Sequence, residues 1–220
     1  MVSLGPGDYE LITLKGIRAL QKSEAVCIPT KSRDGSFKRS IAYKIVKDIL
    51  DDFGFEKKLV PVFVPMKFNP KDWENQADTV YRALNRYKKV SFVTLGDAGI
   101  YSTIYYMLDI IKKRDYSVWE NCEVIAGVTS FSLSSAKIKK PLCLGDSRLE
   151  IIPFSNQNAK KTKVYMRPFK DMKTDFLKES GEFYTFEKLD QGEERISKGK
   201  PKMIKNYMTL IIDFIKNETT

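Results

Sequence analysis

Three times in this chain a short apolar segment runs into a glycine turn and is followed by a stretch with helical spacing. Residues 2–4 lead into Gly5-Pro6-Gly7-Asp8, and residues 90–95 into Gly96-Asp97-Ala98-Gly99-Ile100-Tyr101-Ser102-Thr103. Residues 123–125 lead into Gly127-Val128-Thr129-Ser130-Phe131-Ser132. Parallel strands need crossover helices, so this punctuation predicts an α/β chain with a mostly parallel sheet. Apolar spacing predicts helices over 13–22, 41–50, 72–87 and 100–112, with Asp72 in the N-cap region of the third, and further strands over 25–28 and 58–64. Residues 31–40 read as a polar, basic loop.

The pattern then changes. Strands are expected at 149–152, 163–166, 182–186, 194–197 and 207–215, with helices only at 130–136 and 171–178. That succession suits a mixed or antiparallel sheet. The fold class is therefore two α/β domains, 1–118 and 119–220, meeting near residues 116–122.

The 220 residues are 42% hydrophobic and 30% charged, the balance of a soluble globular chain. No run of about 18 apolar residues is present to cross a membrane. No basic N-terminal region followed by a long apolar run marks a secretory signal, so a cytoplasmic location is expected. Cys27, Cys122 and Cys143 are scattered and odd in number, as expected of buried, reduced thiols rather than disulfides or metal ligands. The absence of histidine excludes Ser-His-Asp and Cys-His hydrolysis and histidine-based zinc sites. Chemistry whose reactive group arrives already activated tolerates that absence, because alignment can supply the rate. A net charge of +10 suits a polyanionic partner, but no aromatic-interleaved basic ribbon points to nucleic acid.

Each glycine turn alone is an ordinary turn. Gly5 to Asp8 lacks the third glycine of a dinucleotide fingerprint and the Gly-Lys-Ser/Thr of a P-loop. Asp97 and Thr129 can each be read as helix caps, and Met166 as core filler. Taken together and in order, with Val164-Tyr165-Met166-Arg167 as a fourth motif, they resemble the tetrapyrrole methylases, the class III S-adenosylmethionine (SAM) methyltransferases. The similarity covers essentially the whole chain and includes Glu187 to Arg195 and Asn206-Tyr207-Met208-Thr209-Leu210. Ala98 and Ala126 stand where the family commonly has proline. The resemblance also implies a few more residues ahead of the first strand.

The resemblance implies SAM held between two domains by Pro6, Leu95, Gly96, Asp97, Ile100, Thr129, Ser130, Met166, Leu189 and Met208. It implies a homodimer, no protein-bound metal, and a reduced tetrapyrrole carrying eight carboxylates as methyl acceptor. The segment Tyr101-Ser102-Thr103 is closest to enzymes methylating carbon 20 of precorrin-2 or cobalt-factor II in cobalamin synthesis. Asp8 and the loop cations Lys31, Arg33, Lys38 and Arg39 are the expected acceptor contacts, since arginine forks match carboxylates. No residue is singled out as a catalytic base. Alternatives are a uroporphyrinogen methyltransferase, diphthine synthase, or a basic binding module that has lost catalysis.

Overall fold

The computed structural model describes residues 1–65, 69–153, 160–178, 181–189 and 191–214, which divide into two compact units, Met1–Ser147 and Arg148–Thr220. In the first, β1 (Val2–Ser3), β2 (Ala25–Thr30), β3 (Lys58–Phe63) and β4 (Val90–Thr94) form a parallel sheet in the order β1-β4-β2-β3. Ile125 adds a single parallel bridge outside β1, beside Val2.

Side chains alternate along a strand, so β2 feeds two cores. Val26 and Ile28 join Val2, Leu20, Ile45 and Val93 on one face, and Cys27 joins Val62, Phe92 and Met107 on the other. Helices α1 (Leu14–Lys22) and α2 (Ile41–Asp52) cover the first face, α3 (Pro70–Leu84) and α4 (Ile104–Arg114) the second. Their starts follow cap chemistry: Thr13 and Ser40 hydroxyls accept from the Gly16 and Tyr43 amides, at 3.1 Å each. Asn69, not the Asp72 region, caps α3, because Pro70 already has the φ of a first helical residue.

The order of connections positions the site. The chain runs β1–α1–β2–α2–β3 in one direction across the sheet and returns through α3 to β4 and through α4 to Ile125, with helices on the opposite face. Consequently β4 lies between β1 and β2, whose following helices leave for the other face. Loops that diverge in this way open a crevice at the carboxyl ends of the strands.

Several expected elements differ. The helix expected from residue 100 begins at Ile104, because Tyr101 takes a left-handed backbone (φ 51°) that interrupts the turn. The strand expected at 123–125 is reduced to the Ile125 bridge. The expected division between residues 118 and 119 falls inside α5 (Tyr116–Glu120), whose Val118 and Trp119 pack on the core shared by α3 and α4. Helix α6 (Ser130–Ile138) also belongs to the first unit. Cys27 is fully buried, and burial pushes its thiol up to about 12. Cys122 is half-buried, but Cys143, expected to be buried, is exposed in the irregular stretch after α6; all three are free thiols.

In the second unit β5 (Lys163–Tyr165), β7 (Glu182–Glu187), β8 (Arg195–Lys198) and β10 (Thr209–Phe214) form an antiparallel sheet in the order β5-β10-β7-β8. A small ladder pairs β6 (Met172–Lys173) with β9 (Met203–Ile204) over a core of Leu177, Phe183, Ile204 and Ile211. No helix occurs among the described residues of this unit. The helix expected at 171–178 is absent because Asp171 turns left-handed (φ 60°) and Met172 and Lys173 commit their backbone to β9. Residues 149–152 are not a strand, and Leu149, Ile151 and Ile152 are exposed. The last strand starts at Thr209 rather than 207, and its expected end at Ile215 lies outside the described residues.

Truncating the central strand should reveal how far the fold depends on it. Ile28→Ala is expected to cost about 2–5 kcal/mol, the usual range for a fully buried aliphatic side chain, measured by urea unfolding. A loss below about 1 kcal/mol would show that the two-faced core is not the main support.

Candidate functional site

The carboxyl edge of the first sheet is drawn together by backbone contacts. Gly5 and Gly96 bond each other twice across the ends of β1 and β4: the Gly96 amide donates to the Gly5 carbonyl at 2.7 Å, and the reverse bond is 3.2 Å. Both residues have positive φ, +78° and +66°, which glycine adopts without penalty. The buried Ser3 hydroxyl accepts from the Ala98 amide at 2.9 Å and so ties the third loop residue to β1. Gly127 closes over this junction. A Cβ there would lie 2.5 Å from Ser3 Cβ and 2.7 Å from the Gly96 carbonyl oxygen.

Gly96 itself stays open. A Cβ on Gly96 would meet nothing within 4 Å, so bare backbone faces free space at the end of β4. Leu95 and Ile100 flank it and are 42% and 38% exposed, though both are large and apolar. Asp97 is half-buried and accepts from the Gly99 amide at 2.9 Å. It does not cap α4, whose N-cap is Thr103. Tyr105 stands nearby with its phenol pKa raised, first by burial and then by the charge of Asp97.

The other expected residues of this unit fall on the same carboxyl edge. Pro6 is half-buried in the loop after β1, and Asp8 accepts from the Glu10 amide at 3.0 Å, capping a short 3-10 turn. Thr129 caps α6 by accepting from the Ser132 amide at 3.2 Å, and Ser130 is exposed beside it. The basic loop follows β2 and is well organised. Thr30 Oγ1 donates to the Ser36 carbonyl at 2.8 Å, Ser40 Oγ donates to the Pro29 carbonyl at 2.6 Å, and Phe37 stacks on Tyr43 with centroids 4.6 Å apart. All four loop cations are exposed, and Arg33 lies 5.6 Å from the centre of the Phe63 ring. Lys38, Arg39 and Lys44 line an open hollow of about 590 Å³ with Phe37, Ile41 and Tyr43.

In the second unit the antiparallel register brings Met166, Leu189 and Met208 to one end of the sheet. Met166 follows β5, Leu189 follows β7, Met208 precedes β10, and the Lys188 amide donates to the Met208 carbonyl at 2.9 Å. All three are at least 40% exposed, an apolar rim rather than core filler. Among the described residues no three Cys, Asp or Glu side chains gather as metal ligands, and no helix is long and apolar enough to cross a membrane.

A sequence model of the Tetrapyrrole (Corrin/Porphyrin) Methylases matches residues 1–176. The chain belongs to this family. Relatives include a probable cobalt-precorrin-2 C(20)-methyltransferase of Methanocaldococcus jannaschii, 34% identical over 152 residues, covering 69% of this chain and 62% of that protein. A cobalt-precorrin-2 C(20)-methyltransferase of Salmonella typhimurium is 30% identical over 155 residues, covering 69% and 61%. The chain thus spans about three fifths of the length of these curated relatives. Solved structures share the fold: a cobalamin-synthesis-related protein of Corynebacterium diphtheriae superposes with a TM-score of 0.53 at 14% identity, covering 96% of this chain and 94% of that one. A cobalt-precorrin-4 methyltransferase gives 0.50 at 16% identity, covering 96% and 92%.

Sequence reasoning missed Ser3 and Tyr105 at this tetrapyrrole-methylase edge. A serine between Val2 and Leu4 in an otherwise apolar strand was the available signal for the first. Nothing in the sequence announced the left-handed backbone at Tyr101. Gly127→Ala should destabilise the first unit by about 1–3 kcal/mol, the range for overpacking a tight contact. An unchanged unfolding midpoint would mean that the junction yields freely.

Proposed function

We propose that the chain is a SAM-dependent C-methyltransferase that acts at carbon 20 of precorrin-2 or cobalt-factor II. The observation that carries this reading is the open backbone at Gly96, at the point where the loops diverge, in a chain of this family whose relatives are named for that reaction. SAM supplies an activated methyl group: the acceptor carbon gains it, sulfur keeps the bonding pair, and the ring gives up a proton.

The chain's own residues bind and align. Gly96 and Asp97 present backbone and carboxylate to the cosubstrate, and Leu95 and Ile100 shield its apolar parts, with Pro6, Thr129 and Ser130 on adjacent loops. Within the second unit, Met166, Leu189 and Met208 offer an apolar rim. Asp8, Lys31, Arg33, Lys38 and Arg39 hold the acceptor, the cations meeting its carboxylates. With no histidine available, rate comes from alignment in a partly desolvated crevice rather than from a dedicated base. A cytoplasmic homodimer that needs no protein-bound metal completes the reading; light scattering tests the oligomer, and persistence of turnover after chelation tests the metal.

Calorimetry with S-adenosylhomocysteine is the first test. Wild type should bind, and Gly96→Val should weaken binding by about 100-fold or more, since its side chain enters the ligand's space and its backbone resists positive φ. Absence of wild-type binding at millimolar ligand would end the enzyme reading. Precorrin-2 and cobalt-factor II assayed side by side then identify the acceptor.

Neutralising Arg33 and Arg39 together should raise the KM for the tetrapyrrole about 10-fold and leave S-adenosylhomocysteine affinity unchanged, because exposed ion pairs are individually weak. Added salt should raise the wild-type KM more than that of the double variant. Equal KM values would return the loop to a solvated surface segment.

A further inference from the structure

The loop after β2 and the first turn of α2 enclose an open hollow of about 590 Å³ whose lining is of two kinds. Lys38, Arg39 and Lys44 bring three exposed cations to it. Among the described residues no carboxylate lines the hollow, and none of the three enters an ion pair. Phe37 and Tyr43 supply an apolar wall, their rings nearly parallel at 3° with centroids 4.6 Å apart. Ile41 lies beside them with 60% of its surface exposed. Ser40 fixes the frame: its hydroxyl donates to the Pro29 carbonyl at the end of β2 and accepts from the Tyr43 amide in the first turn of α2. Unpaired positive charge and a rigid apolar wall thus share one concave surface.

We propose that this hollow seats one carboxylate arm of the acceptor macrocycle, with Lys44 joining Lys38 and Arg39 on the carboxylate; the assignment rests on the reading given above for this site. Such an arm has an apolar methylene stem and an ionised end. The cations attract the end, and Phe37, Tyr43 and Ile41 take the stem and the edge of the ring that bears it. The lysine stems can lie along the same wall while their ammonium groups stay at the water boundary. A bare inorganic anion would use the cations and leave the apolar wall wet. Position agrees with chemistry. β2 is hydrogen-bonded to β4, and neighbouring strands lie about 4.8 Å apart, so the loop after β2 starts one strand step from the open backbone at Gly96. A macrocycle whose reacting carbon lies at that backbone extends over the neighbouring strand end, and its arms lie at its rim.

Four substitutions test charge, wall and background separately. Binding of cobalt-factor II is read from its absorbance change, S-adenosylhomocysteine binding by calorimetry, and thermal midpoints alongside. Lys44→Gln removes the charge at an exposed helical position that glutamine suits about as well as lysine, so the midpoint should hold. Its cobalt-factor II binding should weaken about fivefold with a matching rise in KM, while kcat and S-adenosylhomocysteine affinity stay at wild type. Lys44→Arg should restore binding to within about twofold. Ile41→Ser, which strips part of the wall, should weaken cobalt-factor II about threefold. Lys88→Gln removes the same charge just before β4, at the opposite edge of the sheet, and should change nothing. Unchanged cobalt-factor II binding in Lys44→Gln overturns the proposal and leaves the methyltransferase reading intact. An equal loss in Lys88→Gln assigns the effect to the net charge of the chain and overturns it as well. Unchanged binding in Ile41→Ser makes the hollow a site of charge alone and overturns the seated arm. A lowered midpoint in Lys44→Gln makes that residue structural and overturns its role. A wild-type protein that binds S-adenosylhomocysteine but not cobalt-factor II overturns the proposal; one that binds neither removes the reading with it.

Discussion

The first unit depends on backbone approaching backbone at the ends of β1 and β4. Side chains would hold these strands at ordinary spacing and let their loops splay. Gly5 and Gly96 instead exchange two hydrogen bonds, and the space above Ser3 and the Gly96 carbonyl admits Gly127 and nothing larger. Three loops that leave toward different faces are thereby pinned at one edge. The sheet can be short because of it: β1 pairs through only two residues and Ile125 through one. The hydrophobic cores on both faces supply the stability, while the glycine junction decides where the loops go.

Chemistry follows from that junction by exclusion. Where backbone is bare and open, at Gly96, a ligand can lie within van der Waals reach of amides and carbonyls. Where backbone is bare and filled, at Gly127, no ligand can enter. One oxygen of the Asp97 carboxylate accepts from the Gly99 amide, which helps the loop keep its shape. A reaction whose reactive group is delivered by the cosubstrate asks for such a cradle more than for a proton-transfer residue, and a chain without histidine is consistent with that division of labour.

The second unit reaches an apolar rim by another route. Antiparallel pairing folds β5, β7 and β10 so that alternate strand ends meet, and Met166, Leu189 and Met208 gather although 42 residues separate the first from the last. Methionine and leucine suit a rim that must accept an irregular organic surface, because their side chains adapt without polar demands. Charge sits elsewhere, on the ordered loop after β2, where Thr30 and Ser40 hold the backbone and leave the cations free to meet solvent or a polyanion.

Local chemistry decided much of this in the sequence itself. The continuous apolar run at residues 25–28, the helical spacing over 13–22 and the glycine turns after apolar segments were enough to predict parallel strands with crossover helices and to place Gly96, Asp97 and Thr129 at strand ends. The strands at 163–166 and 182–186 were legible for the same reason, since short runs of strand-forming residues are local. What remained hidden was set by distant partners. Residues 149–152 are as apolar as a strand but form none, and Met172 and Lys173 leave a helical pattern because β9 offers them a ladder. The start of α4, the role of Ser3 and the left-handed backbone at Tyr101 were likewise not announced by local pattern. Composition and spacing determine which elements form; the close approach of segments more than 90 residues apart, Ser3 to Ala98, decides what those elements leave exposed.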